Sequence, residues 1–221
     1  MILFRDSYDK EKYIEDCGNY IKAVGGDGTL LRAINLYSEL DKPFFGVAKG
    51  TVNFLMNKRD SVDEYTHFQK LNLIKIRVEY DNFHKRTIFA FNDVMIGGDM
   101  NSWIEFNVEE KDGMFGDFRG GGIIISTPQG STGINKNNNG PILPLSTDLW
   151  SITGDKCNRK IEYVIEPRET VISVKSRTPV TLWADGSNTV IKNVQRVTIS
   201  SGDSVEVLFN DFEEFIKKRR I

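Results

Sequence analysis

The sequence predicts an α/β unit at the N-terminus followed by a larger, mostly β unit. Two observations carry this expectation. The stretch AVGGDGTLLRA, residues 23–33, sets a glycine turn between an apolar run and an amphipathic one, which is the grammar of a strand feeding a helix. Beyond residue 70 the apolar spacing changes to period two: Ile74, Ile76 and Val78 alternate with Lys75, Arg77 and Glu79. Short β-branched runs, the kind that fit a pleated surface, then recur as far as Val207.

In chain order, residues 2–4 form a short apolar run, 10–17 read as a short polar helix and 20–24 as a strand. Residues 29–40 place Leu30, Leu31, Ile34 and Leu36 on one approximate helical face, and Pro43 stops that helix before a strand at 44–47. Strand, helix and strand in so short a span make a parallel pair with a right-handed crossover. Further strands follow at 74–79, 85–91, 104–108 and 122–126, with turns at Asp81-Asn82 and Asp112-Gly113. Five more runs, at 163–165, 171–174, 180–183, 197–199 and 205–207, complete what reads as stacked sheets. Residues 212–220 form a closing helix. The expected division is 1–70 for the α/β part and 71–209 for the β part, with the helix in 210–221 returning to the first.

The bulk properties narrow the function classes. The chain has 221 residues, 39% hydrophobic and 27% charged, which suits one large or two small globular domains. A net charge of −2 provides no global field toward nucleic acid or anionic membrane. Lys217-Lys218-Arg219-Arg220 is the one basic cluster and reads as a solvated helix end. Cys17 and Cys157 sit in no CxxC or Cys/His group, and His67 and His84 have no ligand at helical spacing. A disulfide framework and a structural metal site are therefore not expected. No apolar run approaches the length of a membrane span, and the first residues lack a signal-peptide core. A cytoplasmic protein with no membrane or nucleic-acid partner is expected.

Three stretches carry chemistry. Gly25-Gly26-Asp27-Gly28-Thr29 joins a strand to a helix, where free N–H groups and the helix dipole favour anions such as a diphosphate. It is neither GxxxxGK[ST] nor GxGxxG. Asp27 would repel a phosphate; it either caps the helix or orients a hydroxyl, accepts its proton or holds a metal ion. STPQGSTGINKNNNGP, residues 126–141, is rich in hydroxyls and amides and almost uncharged. It suits the neutral polar groups of a ribose or base, or is simply an elaborate loop. Asn92-Asp93 interrupts two apolar triplets; it is a strand-end turn or a buried pair that needs partners, which ribose hydroxyls would supply.

Taken together these stretches resemble the NAD kinase family: GGDGT at 25–29, its Asn-Glu/Asp pair at Asn92-Asp93, and STPxGST at 126–132 with Gly140-Pro141 after it. GVAKGTVNFL at 46–55, Phe118-Arg119-Gly120 and Trp183-Ala184-Asp185-Gly186 are similar to further family segments, in the same order. The resemblance implies a Rossmann-like α/β domain, a C-terminal two-sheet β-sandwich and a site between them. It implies phosphoryl transfer from ATP, or polyphosphate, with a divalent cation such as Mg2+, to the 2′-hydroxyl of the adenosine ribose of NAD. Asp27 would take the hydroxyl proton. Gly25, Gly26, Gly28 and Thr29 would form the phosphate cradle, and Arg32 either faces a phosphate or is an exposed helix arginine. Asn92, Asp93, Arg119, Thr127, Gln129, Ser131, Thr132, Gly133, Ile134, Asn135, Asn137 and Asp185 would meet NAD, Arg119 across a subunit interface. Members form dimers or tetramers through the β domain. The chain departs from the family where Gly121 replaces Asp and Gly133-Ile134 replaces Ala-Tyr, which bears on dinucleotide affinity more than on reaction class. The alternatives are a weak or inactive nucleotide-binding homologue, or a GGDGT kinase with a lipid or sugar acceptor.

Overall fold

The computed structural model describes all residues except 50–52, 100–102, 111–112, 187–188 and 219–221. Asp112 of the expected hairpin, residues 50–52 of GVAKGTVNFL, and Arg219-Arg220 of the basic cluster lie outside the described residues. Its elements in chain order are β1 (Ile2–Arg5), β2 (Tyr13–Asp16), β3 (Ile21–Gly25), α1 (Asp27–Tyr37), β4 (Phe44–Ala48), β5 (His67–Tyr80), β6 (His84–Ala90), β7 (Asp93–Gly97), β8 (Ile104–Glu110), β9 (Gly113–Gly120), β10 (Gly122–Ser126), α2 (Ile134–Asn137), β11 (Trp150–Asp155), β12 (Glu162–Ile165), β13 (Thr170–Lys175), β14 (Thr181–Ala184), β15 (Thr189–Ile191), β16 (Val194–Phe209) and α3 (Phe212–Lys218). The chain divides into two compact units, Met1–Leu71 with Ser204–Ile221, and Asn72–Asp203.

In the first unit, β3 and β4 are parallel and joined through α1, which buries Leu30, Leu31, Ala33 and Ile34. The end of β16 extends the parallel pair, with Val207 opposite Phe44 and Leu208 opposite Phe45. Val24, Phe45, Val47 and Leu208 pack together beneath Tyr13 and Tyr20. The helix expected over 10–17 is instead strand β2. The Asp6 carboxylate accepts the N–H groups of Tyr8 and Asp9, closing an Asx turn that folds β1 onto β2. Tyr13 and Ile14 then pair with Val24 and Ala23 of β3; ladder pairing of an aromatic and a β-branched residue outweighs the polar composition. α3 is anchored by Phe215, which is buried and meets Phe209 at 4.4 Å.

The second unit is a sandwich. One sheet runs β12-β11-β10-β7-β14-β15, antiparallel throughout. The facing sheet sets β13 between β8 and the first half of β16, with β9 beyond β8 and β5 paired to β16 and β6. One apolar core joins both inner faces, including Ile76, Phe106, Phe118, Ile125, Trp150, Ile172 and Val197. Each fully buried side chain of this size stabilises by roughly 1.5–3 kcal/mol. The β5–β6 turn uses positive φ at Asp81, Asn82 and Phe83, as the Asp-Asn signal predicted. Among the described residues no helix is long and apolar enough to cross a membrane.

Candidate functional site

Strand β3 ends in the glycine turn. Gly25 has φ +153°, and a Cβ there would overlap the Thr29 side chain, so only glycine lets the turn close. Gly26 precedes α1 with extended backbone, and its carbonyl accepts the N–H of Thr29 at 2.8 Å. Asp27 is the first helical residue. Its carboxylate reaches the segment after β4, accepting the N–H of Phe54 at 2.8 Å and of Leu55 at 2.9 Å. The Lys49 N–H donates to the Gly25 carbonyl at 2.7 Å, so the ends of two parallel strands are tied beside the carboxylate.

A cleft of about 340 Å³ opens against this turn, lined by Gly26, Gly28, Thr29 and Arg32, and also by Phe4, Asp6, Lys12, Lys49 and Asn53. Three cations therefore surround the helix start, an arrangement suited to a chain of phosphates. The Arg32 guanidinium lies 4.0 Å over the Phe4 ring, which orients it in the lining. Lys12 and Lys49 pair with Asp9 at 3.3 Å and Glu11 at 3.9 Å; these solvent-exposed pairs are weak and yield to a ligand at little cost. The Tyr8 and Asp9 N–H groups hold the Asp6 carboxyl below the usual carboxylate range. Sequence reasoning missed Lys12 and Lys49. Lys49 was legible as the residue after a strand parallel to the one before GGDGT. Lys12 gave no signal, because its hairpin read as a helix.

In the second unit a polar row crosses one end of the six-stranded sheet. Asp93 is opposite Ser126, Ser126 is opposite Ser151, and the Asp185 N–H donates to the Asp93 carbonyl at 3.0 Å. The Asp185 carboxylate accepts main-chain N–H groups from Phe91 at 2.9 Å, Asn92 at 2.7 Å and Asp93 at 3.4 Å. Burial first, and then the Asp185 charge, raise the Asp93 carboxyl to about 7. Among the described residues the Asn92 Oδ1 and Ser126 Oγ are buried with no hydrogen-bond partner. Ser126, which the sequence reading did not single out, thus joins Asn92 as a buried polar atom without a partner within the protein, a position open to a ligand. Beside Gly121, where a Cβ would stand, the Asp155 Oδ2 lies 3.2 Å away.

Four expected dinucleotide contacts spend their side chains on hydrogen bonds within the protein. The Thr127 hydroxyl lies 2.8 Å from the Phe91 carbonyl, and Gln129 donates to the Asn72 and Phe91 carbonyls at 2.9 and 2.6 Å. Ser131 donates to Pro128 and accepts from the Leu143 N–H. Asn135 donates to the Ser131 and Pro141 carbonyls at 3.0 and 2.8 Å and accepts the Ser151 hydroxyl at 2.8 Å. All four are buried. A Cβ on Gly130 would overlap the Asn92 main chain, so this loop lies directly on the Asn92-Asp93 pair. Thr132 and Ile134 are half-buried, and Gly133 and Asn137 exposed, so these four of the expected contacts are accessible. Arg119, exposed on β9, pairs with Glu105 of β8 at 2.7 Å.

No protein-family model matches the chain. An NAD kinase of Xanthomonas oryzae pv. oryzae is 28% identical over 211 residues, covering 88% of this chain and 81% of that protein. An NAD kinase of Rickettsia bellii is 29% identical over 212 residues, covering 89% and 82%. The match to the Rickettsia africae NAD kinase is 32% identical over 139 residues, 60% of this chain and about half, 54%, of that protein. The crystal structure of yeast NADH kinase complexed with NADH superposes with a TM-score of 0.79 at 14% identity, over 90% of this chain and 64% of that one. An Archaeoglobus fulgidus NAD kinase in complex with ATP gives 0.74 at 20% identity, over 90% and 80%. The α/β unit with its glycine junction and the two-sheet β unit therefore make the fold of the dinucleotide kinases. Within that fold class, the chain resembles the NAD kinases in sequence, at 28–32% identity.

Proposed function

We propose that this protein is an NAD kinase, transferring the terminal phosphoryl group of ATP to the 2′-hydroxyl of the adenosine ribose of NAD. The observation that carries the reading is the Asp27 carboxylate at the glycine–helix junction, next to a cleft lined by Lys12, Arg32 and Lys49. Phosphoryl transfer needs positioning and charge neutralisation more than covalent help. The three cations and the helix start hold the triphosphate. The ribose oxygen forms its bond to the terminal phosphorus as the bridging bond to ADP breaks, and Asp27 takes the hydroxyl proton. Asn92, Ser126 and the accessible residues Thr132, Gly133, Ile134 and Asn137 of the 126–141 loop hold the dinucleotide.

Magnesium keeps water and phosphate oxygens as most of its ligands, and Asp6 in the cleft lining would share such an ion. When bound, the ion neutralises charge on the phosphates. Assembly through the β unit and a cytoplasmic location belong to the same reading.

The test is production of NADP from NAD, ATP and magnesium, read with a dehydrogenase that accepts only that product. Turnover by the wild type and none by Asp27→Asn is expected. Tight NAD binding without product would reduce the protein to a binding homologue.

A further inference from the structure

We infer that Asn57 is a positioning residue for Asp27, coupling the C-terminal strand to the acid through the segment that grips it. The inference rests on the reading of Asp27 as the base. Asn57 is 1% exposed and its amide is saturated by main chain. The Nδ2 donates to the Gly46 carbonyl of β4 and the Leu208 carbonyl of β16, both at 2.9 Å. The Oδ1 accepts the Asn210 N–H at 2.8 Å. Its own main chain continues the pattern: the Asn57 N–H donates to Gly46 and its carbonyl accepts from Ala48, each at 2.8 Å. Asn57 is thus bonded at five points to two strands and to the residue that follows the second.

Two residues upstream, Leu55 supplies one of the two N–H groups on the Asp27 carboxylate, and Phe54 supplies the other. Leu55 and Met56 are buried between these anchors. The path is short and covalent: strand ends, Asn57, Met56, Leu55, then hydrogen bonds to both oxygens of Asp27. A base that must meet a hydroxyl at hydrogen-bond distance loses rate steeply with displacement. Asn57 fixes where the N–H pair stands, and so where the carboxylate points. Hydrogen-bond chemistry, not bulk, is what the position requires, because the side chain donates twice and accepts once in one plane.

Two variants and two readouts test this. Asn57→Asp keeps the size and the acceptor toward Asn210 but cannot donate to Gly46 and Leu208; Asn57→Ala removes all three bonds. In variants that retain a cooperative melt, kcat is expected to fall about ten- to a hundredfold with the KM values for NAD and ATP within about twofold. Amide exchange at Phe54 and Leu55 is expected to accelerate in both. An unchanged kcat in a folded Asn57→Asp protein overturns the inference, as do unchanged exchange rates at those two amides. Asp27→Asn is run beside them. Full activity in that variant sinks the reading of Asp27 as base, whereas loss there with normal turnover in Asn57→Asp sinks the positioning role alone.

Discussion

Asp93 and Asp185 end neighbouring strands side by side, yet their carboxyl groups are treated differently. Asp185 receives three main-chain N–H groups. For Asp93, burial and then the adjacent Asp185 charge raise the carboxyl to about 7.

The first prediction is a stability signature. An acid whose folded value lies above its unfolded one holds a proton that the unfolded chain has already released. Its contribution is therefore complete below about pH 4 and declines as pH rises toward 7, then stays level. The decline amounts to roughly 4 kcal/mol as an upper figure. Asp93→Asn removes it, so denaturant titrations should show the variant gaining on the wild type between pH 4.5 and 8. A constant difference between the two proteins over that range would contradict the account.

The fold was largely legible because its signals are local. The glycine junction, the period-two alternation in β5 and the apolar run of β10 each declare their conformation within a few residues. The hairpin at 6–16 was not legible: its strand identity comes from pairing Tyr13 and Ile14 with β3, a long-range gain no window contains. The site divides the same way. GGDGT and Asn92-Asp93 stand out by composition, but Lys12 enters the cleft only through the hairpin. Nor does composition distinguish a polar side chain facing a ligand from one bonded within the protein, which is how Thr127, Gln129, Ser131 and Asn135 are used.

That distinction gives the second prediction. Asn135→Leu leaves the Ser131 and Pro141 carbonyls and the Ser151 hydroxyl without their partner and is expected to destabilise by about 3 kcal/mol. Asn137→Ala, at an exposed position of the same short helix, should stay within about 0.5 kcal/mol. Urea unfolding measures both; equal effects would show that Asn135 is no staple.

The third concerns two glycines of the same composition class. Gly130 lies against the Asn92 main chain, which cannot retreat like a flexible side chain, whereas Gly28 has nothing within 4 Å of a Cβ. Gly130→Ala is expected to cost about 2 kcal/mol or more and to weaken NAD binding by shifting Asn92. Gly28→Ala should fold normally, and since Ala favours a helix its melting temperature should not fall. Calorimetry on the two variants decides.

The fourth separates donor binding from structure in the cleft. Arg32, Lys12 and Lys49 face it from three segments, and none is buried in an apolar setting. Their removal should cost little stability; Arg32→Ala forfeits only the contact with Phe4, worth about 0.5–1 kcal/mol. A charge-assisted bond to phosphate is worth about 1.5–3 kcal/mol, so Arg32→Ala and Lys49→Ala should each raise KM for ATP about ten- to a hundredfold while KM for NAD holds. Because the contacts are partly exposed, added salt should weaken wild-type ATP binding and narrow the gap to the variants. Lys58→Ala is the control: that lysine is exposed, pairs with Glu214 and lies outside the cleft lining, so its kinetics should match the wild type. If all three variants change KM for ATP alike, the effect belongs to net charge, and the cleft is not the donor site.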